Sequence, residues 1–241
     1  MRGGYPPPEQ EHLQWRTAPT YYREGNAWPS GSWLAKPAGY ALGHQVRHTS
    51  HFPASAISAL TSLSQTPSYT PRPSPSLRHQ TGQAWAEAMA ESGALLSAIL
   101  RIAHPALYRA GISSLQVAAQ DSIARSALDV WPTVFNAVQV ISNRQTPFHR
   151  DNAGMPAWLD LLMSLGSCRR ATIVLRNLGM QMAYNPGSLA LISSFLIHHG
   201  VAEVPADRIC YSWFMTEVLH VNLGIPEVSW ASRSVSSTAS L

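Results

Sequence analysis

The chain has 241 residues, enough for one full-sized domain and hardly enough for two, and its 45% hydrophobic and 12% charged residues exclude wholesale disorder. Residues 1–80 carry seven Lys/Arg and three Asp/Glu, whereas residues 81–241 carry ten of each, so the net charge of +4 lies in the first third. Two cysteines exclude a disulfide framework, and apolar runs of at most nine residues exclude a membrane span, so we expect an intracellular protein without a membrane partner.

Residues 1–77 are predicted to form a Pro/Ser-rich, mostly irregular extension. They hold eleven of the eighteen prolines and show no sustained hydrophobic period, apart from a short helical patch predicted at 54–63. A basic arm of this kind can contact phosphates through counterion release, although a solvated tail explains the same composition equally well.

The next segment is predicted to be helical. Apolar residues recur at helical spacing over 82–103, which predicts an amphipathic helix that ends at Pro105. A second, shorter helix or turn is predicted over 106–109, before Gly111. These elements would pack beside the rest of a domain that we expect to span 78–231.

Beyond Asp121 the apolar runs become short and are separated by Gly, Pro and Asn, which is typical of strands joined by turns. The predicted strands lie in 130–141, 158–165, 171–176, 180–184, 189–197 and 209–215. No helical segments are interleaved, so we expect an antiparallel barrel or sandwich. The Ser-rich residues 232–241 are expected to form a flexible tail.

One pair of residues points to a metal. His149 and Asp151 are two apart at a strand end, so their side chains face the same side of the strand. A second histidine would complete the set of two imidazoles and one carboxylate that binds non-haem iron(II), and His198 and His199 lie about fifty residues further on. Only one of these two adjacent side chains can face inward, and periodicity alone does not decide which.

Arg208 is the second candidate for a binding role. It opens an otherwise apolar strand, where a guanidinium is costly unless it has an anionic partner. Its two parallel donors suit the distal carboxylate of 2-oxoglutarate, and an ion pair with Asp160, Glu203 or Asp207 is the structural alternative.

Five stretches, taken together, resemble the core of the fungal TET/JBP-type dioxygenases, relatives of the enzymes that oxidise 5-methylcytosine or thymine in DNA. The stretches are 143–151 (NRQTPFHRD), 158–162 (WLDLL), 185–187 (NPG), 199–204 (HGVAEV) and 207–210 (DRIC). The resemblance covers about residues 80–230 and implies a distorted double-stranded β-helix, an α+β fold with a mainly β core and helices packed outside.

The resemblance also implies roles for individual residues. His199, which precedes Gly200, would be the third metal ligand beside His149 and Asp151, and Arg208 would bind 2-oxoglutarate. The cofactors would be Fe(II), O2 and 2-oxoglutarate as co-substrate. A target base must leave the duplex to reach such a site, and contacts to it are predicted, from adjacency to the motif only, for three residues. These are Asn143, Arg144 and Trp158.

The expected function is oxidation of a methylated base, with 5-methylcytosine in DNA first, in the nucleus. N6-methyladenine or an RNA base stays open as the substrate, and the oligomeric state is not determined by the sequence. The alternative from another class is a catalytically inactive cupin-like module that binds nucleic acid or protein. A metal-dependent cupin isomerase or dioxygenase would have further histidines in the first motif, and these are absent. Convergence of His149, Asp151 and His199, with Arg208 in the same cavity, would favour the enzyme.

Overall fold

A computed structural model describes residues 6, 15–39, 70–203 and 205–231 of the chain. The predicted helical patch at 54–63 and the predicted tail at 232–241 lie outside the described residues. Six α-helices occur in the described part of the chain. They are α1 (Pro75–Arg78), α2 (Gln80–Ala88), α3 (Ala90–Ala103), α4 (Pro105–Ala118), α5 (Ser122–Asp129) and α6 (Glu217–Asn222).

The helix predicted over 82–103 is present as two helices, α2 and α3, which meet at Met89. The short element predicted before Gly111 is the fourteen-residue helix α4, which continues through this glycine. Gly111 lies inside this helix and permits close packing there, because a Cβ at this position would overlap Met215 and the Val134 carbonyl. Within the described residues, no helix has both the length and the apolar character needed to cross a bilayer.

Nine strands form two antiparallel sheets in the described part of the chain. The five-stranded sheet has the order β1-β2-β9-β4-β7, and the four-stranded sheet has the order β3-β8-β5-β6. The strands are β1 (Gly31–Ala35), β2 (Ala137–Ser142), β3 (Thr146–His149), β4 (Asp160–Gly166), β5 (Thr172–Leu175), β6 (Met180–Ala183), β7 (Leu189–Ile192), β8 (His199–Val201) and β9 (Arg208–Phe214).

The region predicted to be an irregular extension contributes to the larger sheet. Strand β1 pairs with β2 in an antiparallel register that runs from Gly31 opposite Ser142 to Ala35 opposite Val138. A 3₁₀ turn at Pro19–Tyr21 precedes it. The sequence did not predict this strand, because five residues between prolines are too few to show an alternating pattern.

Alternate side chains of β9 point into two different parts of the protein interior. Trp213 is fully buried in the larger core together with Leu100 and Leu107 of the helices. Arg208 and Cys210 face the other side, toward the four-stranded sheet, because successive strand residues point to opposite faces. The predicted mainly β core with helices packed on its outside is confirmed, and the two facing sheets are consistent with a double-stranded β-helix.

Candidate active site

Three predicted metal ligands converge between the two sheets. His149 is the last residue of β3, His199 is the first residue of β8, and the two strands pair so that these residues lie opposite each other. Asp151 follows His149 by two residues. One ligand atom from each of the three side chains lies within 4.8 Å of the other two, so strand pairing brings together residues that are fifty positions apart in sequence.

Hydrogen bonds to the backbone fix the orientation of both imidazoles. His149 Nδ1 lies 2.9 Å from the Pro147 carbonyl oxygen, and His199 Nδ1 lies 2.8 Å from the Ile197 carbonyl oxygen. A carbonyl oxygen only accepts, so each Nδ1 carries the proton and each Nε2 presents its lone pair. These Nε2 atoms are 3.5 Å and 3.9 Å from the Asp151 carboxylate oxygens.

The electrostatics of the cluster favour the protonation states that bind a metal. Burial and the neighbouring His149 lower the pKa of His199 to about 4. Burial alone would raise the pKa of Asp151, but the neighbouring His149, His199 and Arg16 together hold it below its usual range. At neutral pH His199 is therefore unprotonated and Asp151 anionic, and these are the states in which imidazole and carboxylate groups coordinate a divalent cation.

The structure distinguishes between the two adjacent histidines. His199 is buried and faces the cluster, whereas the His198 ring packs on Phe148 with a centroid distance of 5.6 Å. The alternation that leaves the choice open in the sequence thus places His198 on the outer surface of the smaller sheet.

Arg208 lies in the same cavity as the three ligands. Its side chain is buried, its Cζ lies 4.9 Å above the Tyr184 ring, and its backbone N–H donates to Asn143 Oδ1 at 2.9 Å. The ion pairs considered as alternatives are not formed. Asp207 pairs with Arg23, and Asp160 accepts a hydrogen bond from Ser194 instead.

The cavity between the sheets collects residues from both of them. Its volume of about 50 Å³ corresponds to one or two water molecules. It is lined by Arg16, Gln139, Ile141, Arg144, Thr146, His149, Asp151, Leu162, Ile173, Tyr184, His199, Val201, Arg208, Cys210 and Ser212. A wider surface groove of about 740 Å³, formed by residues between 17 and 32, contains none of the predicted ligands.

The three residues predicted to contact a substrate lie in different environments. Arg144 is buried and lines the cavity. Asn143 has a left-handed backbone (φ 56°). Its Nδ2 donates to the Trp28 carbonyl at 2.8 Å and its Oδ1 accepts from Arg208 N, so its side chain connects Trp28 to β9. Trp158 is buried against His220, with ring centroids 4.6 Å apart. Neither Asn143 nor Trp158 lines the cavity that contains the ligands.

Two residues that lie at the site, Trp15 and Arg16, were not predicted from the sequence. The Trp15 ring is buried and packs against His149, with centroids 4.6 Å apart. Arg16 Nη2 lies 2.8 Å from Asp151 Oδ1. Both belong to the proline-rich first third, where no local periodicity or motif relates them to a site 130 residues away.

The residues fit an iron(II) and 2-oxoglutarate site. Two imidazoles and one carboxylate are the donor set that leaves coordination positions free for a co-substrate and O2. In the described part of the chain, the buried Nε atoms of Arg208 and Arg144 have no hydrogen-bond partner. Guanidinium donors left unpaired beside one cavity can be satisfied by an anion, and a dicarboxylate is one.

Comparison with known proteins identifies one family. The family model described as Tet_JBP, the oxygenase domain of the 2OGFeDO superfamily, matches residues 59–220. No curated protein matches the chain by sequence. Among solved structures, the chain is similar to NgTET1 in complex with 5mC DNA, with 14% identity over 74% of this chain and 70% of that chain and a TM-score of 0.48.

Proposed function

The chain belongs to the Tet_JBP family of Fe(II)- and 2-oxoglutarate-dependent dioxygenases, and we propose that it oxidises 5-methylcytosine in DNA to 5-hydroxymethylcytosine and further products. The observation that carries the proposal is the convergence of His149, Asp151 and His199 in one cavity with Arg208. We place the activity in the nucleus, because DNA is the proposed substrate.

We assign the three converging residues to Fe(II). The carbonyl oxygens of Pro147 and Ile197 hold the two rings so that Nε2 of each histidine faces the carboxylate of Asp151. When bound, Fe(II) and 2-oxoglutarate supply the O2 activation that oxidation of a methyl C–H bond requires, with succinate and CO2 as the other products. The protein supplies orientation and charge.

We assign the co-substrate carboxylate to Arg208. The guanidinium projects from β9 into the cavity and packs on the Tyr184 ring. Hydrogen bonds between Asn143 and the backbone of Arg208 fix the base of this side chain. A preorganised guanidinium binds a carboxylate without having to order itself first, and its fork donates two parallel hydrogen bonds.

Three cationic or ionisable side chains near the ligands support a nucleic-acid substrate. Arg150 is exposed between His149 and Asp151, and His198 directly precedes His199. The exposed Arg176 lies over Phe148, with its Cζ 5.3 Å from the ring centroid. Phosphate contacts from such side chains would position a strand while the target base leaves the stack.

The test is an oxidation assay with Fe(II), 2-oxoglutarate and duplex DNA that contains 5-methylcytosine. We expect 5-hydroxymethylcytosine by mass spectrometry, together with succinate. Duplexes with N6-methyladenine and an RNA with 5-methylcytosine, run in parallel, identify another substrate if one is preferred. Asp151→Asn, which removes the anionic ligand, is expected to give neither product. Wild-type protein that contains iron and forms no oxidised base from any of these nucleic acids would contradict the proposal.

A further inference from the structure

The three proposed iron ligands differ in what holds them. Each histidine ring is oriented by a main-chain carbonyl, from Pro147 or Ile197. The Asp151 side chain is 32% exposed, and its Oδ1 accepts a hydrogen bond from Arg16 Nη2 at 2.8 Å. Asp151 Oδ2 lies 3.9 Å from His199 Nε2, and Oδ1 itself lies 3.5 Å from His149 Nε2. Arg16 therefore orients the carboxylate as the carbonyls orient the imidazoles.

Arg16 is itself held in place on both sides. Its main-chain carbonyl accepts hydrogen bonds from the Tyr22 hydroxyl at 2.7 Å and from Arg144 Nη1 at 3.3 Å. Two guanidinium groups contact the buried Trp15 ring, with the Cζ of Arg16 at 4.4 Å and that of Arg144 at 4.8 Å from its centroid. These contacts fix the backbone from which the Arg16 side chain reaches Asp151.

The segment that carries Arg16 is anchored to the barrel at its other end. The buried Asp207 carboxylate accepts hydrogen bonds from Arg23 Nη2 and Asn26 N, both at 2.9 Å, and from Ala27 N at 2.6 Å. Residues 15–28, which we call the N-terminal segment, are thus bound to the barrel on both sides of Tyr22. A segment fixed at two points presents Arg16 at a defined position.

We propose that Arg16 is a positioning residue of the iron centre, which holds Asp151 by Oδ1 and so presents the carboxylate to the metal. The inference rests on the proposed role of Asp151 as an iron ligand. Partners that orient metal ligands typically contribute about 10–100-fold to metal affinity. Because the Arg16 side chain is 43% exposed, we expect the lower end, about tenfold.

The experiment measures Mn(II) binding to the full chain by calorimetry, without co-substrate or DNA. Arg16→Ala is expected to weaken Mn(II) binding about tenfold, and Arg16→Lys, which keeps the charge but not the fork, is expected to restore part of it. Arg170→Ala is the matched control, because this arginine is exposed at the turn between β4 and β5. Tyr22→Phe retains the Arg16 side chain but removes the hydroxyl group that donates a hydrogen bond to the Arg16 carbonyl. It is expected to weaken binding about 2- to 10-fold.

The outcomes separate this inference from the proposed function. Wild-type protein that binds no Mn(II) would contradict the ligand assignment itself. Wild-type protein that binds Mn(II) while Arg16→Ala binds equally well would overturn only the role of Arg16. Tighter binding by Arg16→Ala would also overturn it, because Arg16 would then compete with the metal for Asp151. Circular dichroism of each variant shows whether a loss of binding accompanies a loss of fold.

Discussion

Replacing Arg208 with glutamine tests the co-substrate site most directly. Arg208 is only 3% exposed, and its Nε has no hydrogen-bond partner among the described residues. A carboxylate in this cavity would accept two charge-assisted hydrogen bonds, each worth about 1.5–3 kcal/mol. Glutamine keeps one neutral donor, so we expect a net loss of about 3–4 kcal/mol, which corresponds to 2-oxoglutarate binding weakened about 100- to 1,000-fold.

The assay is calorimetric titration of 2-oxoglutarate into protein that contains Mn(II) as a redox-stable substitute for iron. Arg208→Lys keeps a point charge without the fork, and we expect an intermediate loss of about tenfold. Arg176→Gln is the matched control, because this arginine is exposed on the outer side of the smaller sheet. Its affinity for 2-oxoglutarate should equal that of the wild type.

Thermal unfolding without ligands separates binding from folding. Removing the buried guanidinium relieves a desolvation penalty that offsets the lost contact with Tyr184, so Arg208→Gln should unfold at about the same temperature as the wild type. The expected result is weaker binding without loss of stability. An affinity for 2-oxoglutarate within threefold of the wild type would refute the assignment of Arg208, and a large fall in Tm would show that the side chain has a structural partner instead.

Three further outcomes are expected. Gly166→Ala should cost at least about 2 kcal/mol in urea unfolding, because φ is +107° and a Cβ would overlap the Asp207 carbonyl. Gly179→Ala, where φ is +62° and no described atom lies within 4 Å of the added Cβ, should cost only about 1 kcal/mol, and equal costs would contradict the packing argument. Burial raises the pKa of Asp160 from its usual value of 3.8 to about 8. Between these two pH values the folded state keeps a proton that the unfolded state has lost, so the free energy of unfolding falls as the pH rises. Asp160→Asn should remove this dependence, which amounts to at most about 4 kcal/mol between pH 5 and 8, and an unchanged slope in urea unfolding would disprove it. Mn(II) at about 100 times its Kd should stabilise the wild type by about 2.7 kcal/mol, or roughly 5–10 °C in Tm, and a similar shift in Asp151→Asn would exclude that carboxylate as a ligand.

The parts of the site that the sequence predicts are those encoded locally. The two-residue spacing of His149 and Asp151 places both side chains on one side of a strand end, and Arg208 is conspicuous because it begins an apolar strand. The six predicted strand regions each contain a strand, although the strand in 130–141 begins only at Ala137 and the strand in 189–197 ends at Ile192. Beyond it residues 194–196 form a turn, and the Ser193 hydroxyl donates to the Pro156 carbonyl. The pattern of hydrophobic residues alone does not predict such a turn.

The parts that it does not predict depend on contacts between distant residues. Strand β1 gains its partners only from β2, more than a hundred residues later, and its own five residues have no diagnostic pattern. Trp15 and Arg16 contact His149 and Asp151 across about 135 positions. Helix α5 is another such case, because it is eight residues long and buries only Ala124 and Ala127. Its apolar stripe is therefore too narrow to detect in the sequence.

The start of β9 links a locally encoded feature, Arg208, to the long-range contacts of the N-terminal segment. Asp207 and Arg208 are adjacent, so their side chains leave the chain on opposite sides. The buried Asp207 side chain faces the N-terminal segment and accepts hydrogen bonds from Arg23, Asn26 and Ala27, whereas Arg208 faces the cavity. Asn143 bonds to the backbone N–H and C=O of Arg208 and to the Trp28 carbonyl, so the same loop fixes both partners. A shift of β9 by one residue would exchange the two faces and remove the guanidinium from the cavity and the carboxylate from the segment together. The register of a single strand thus determines both where the co-substrate carboxylate is expected and whether Arg16 reaches Asp151.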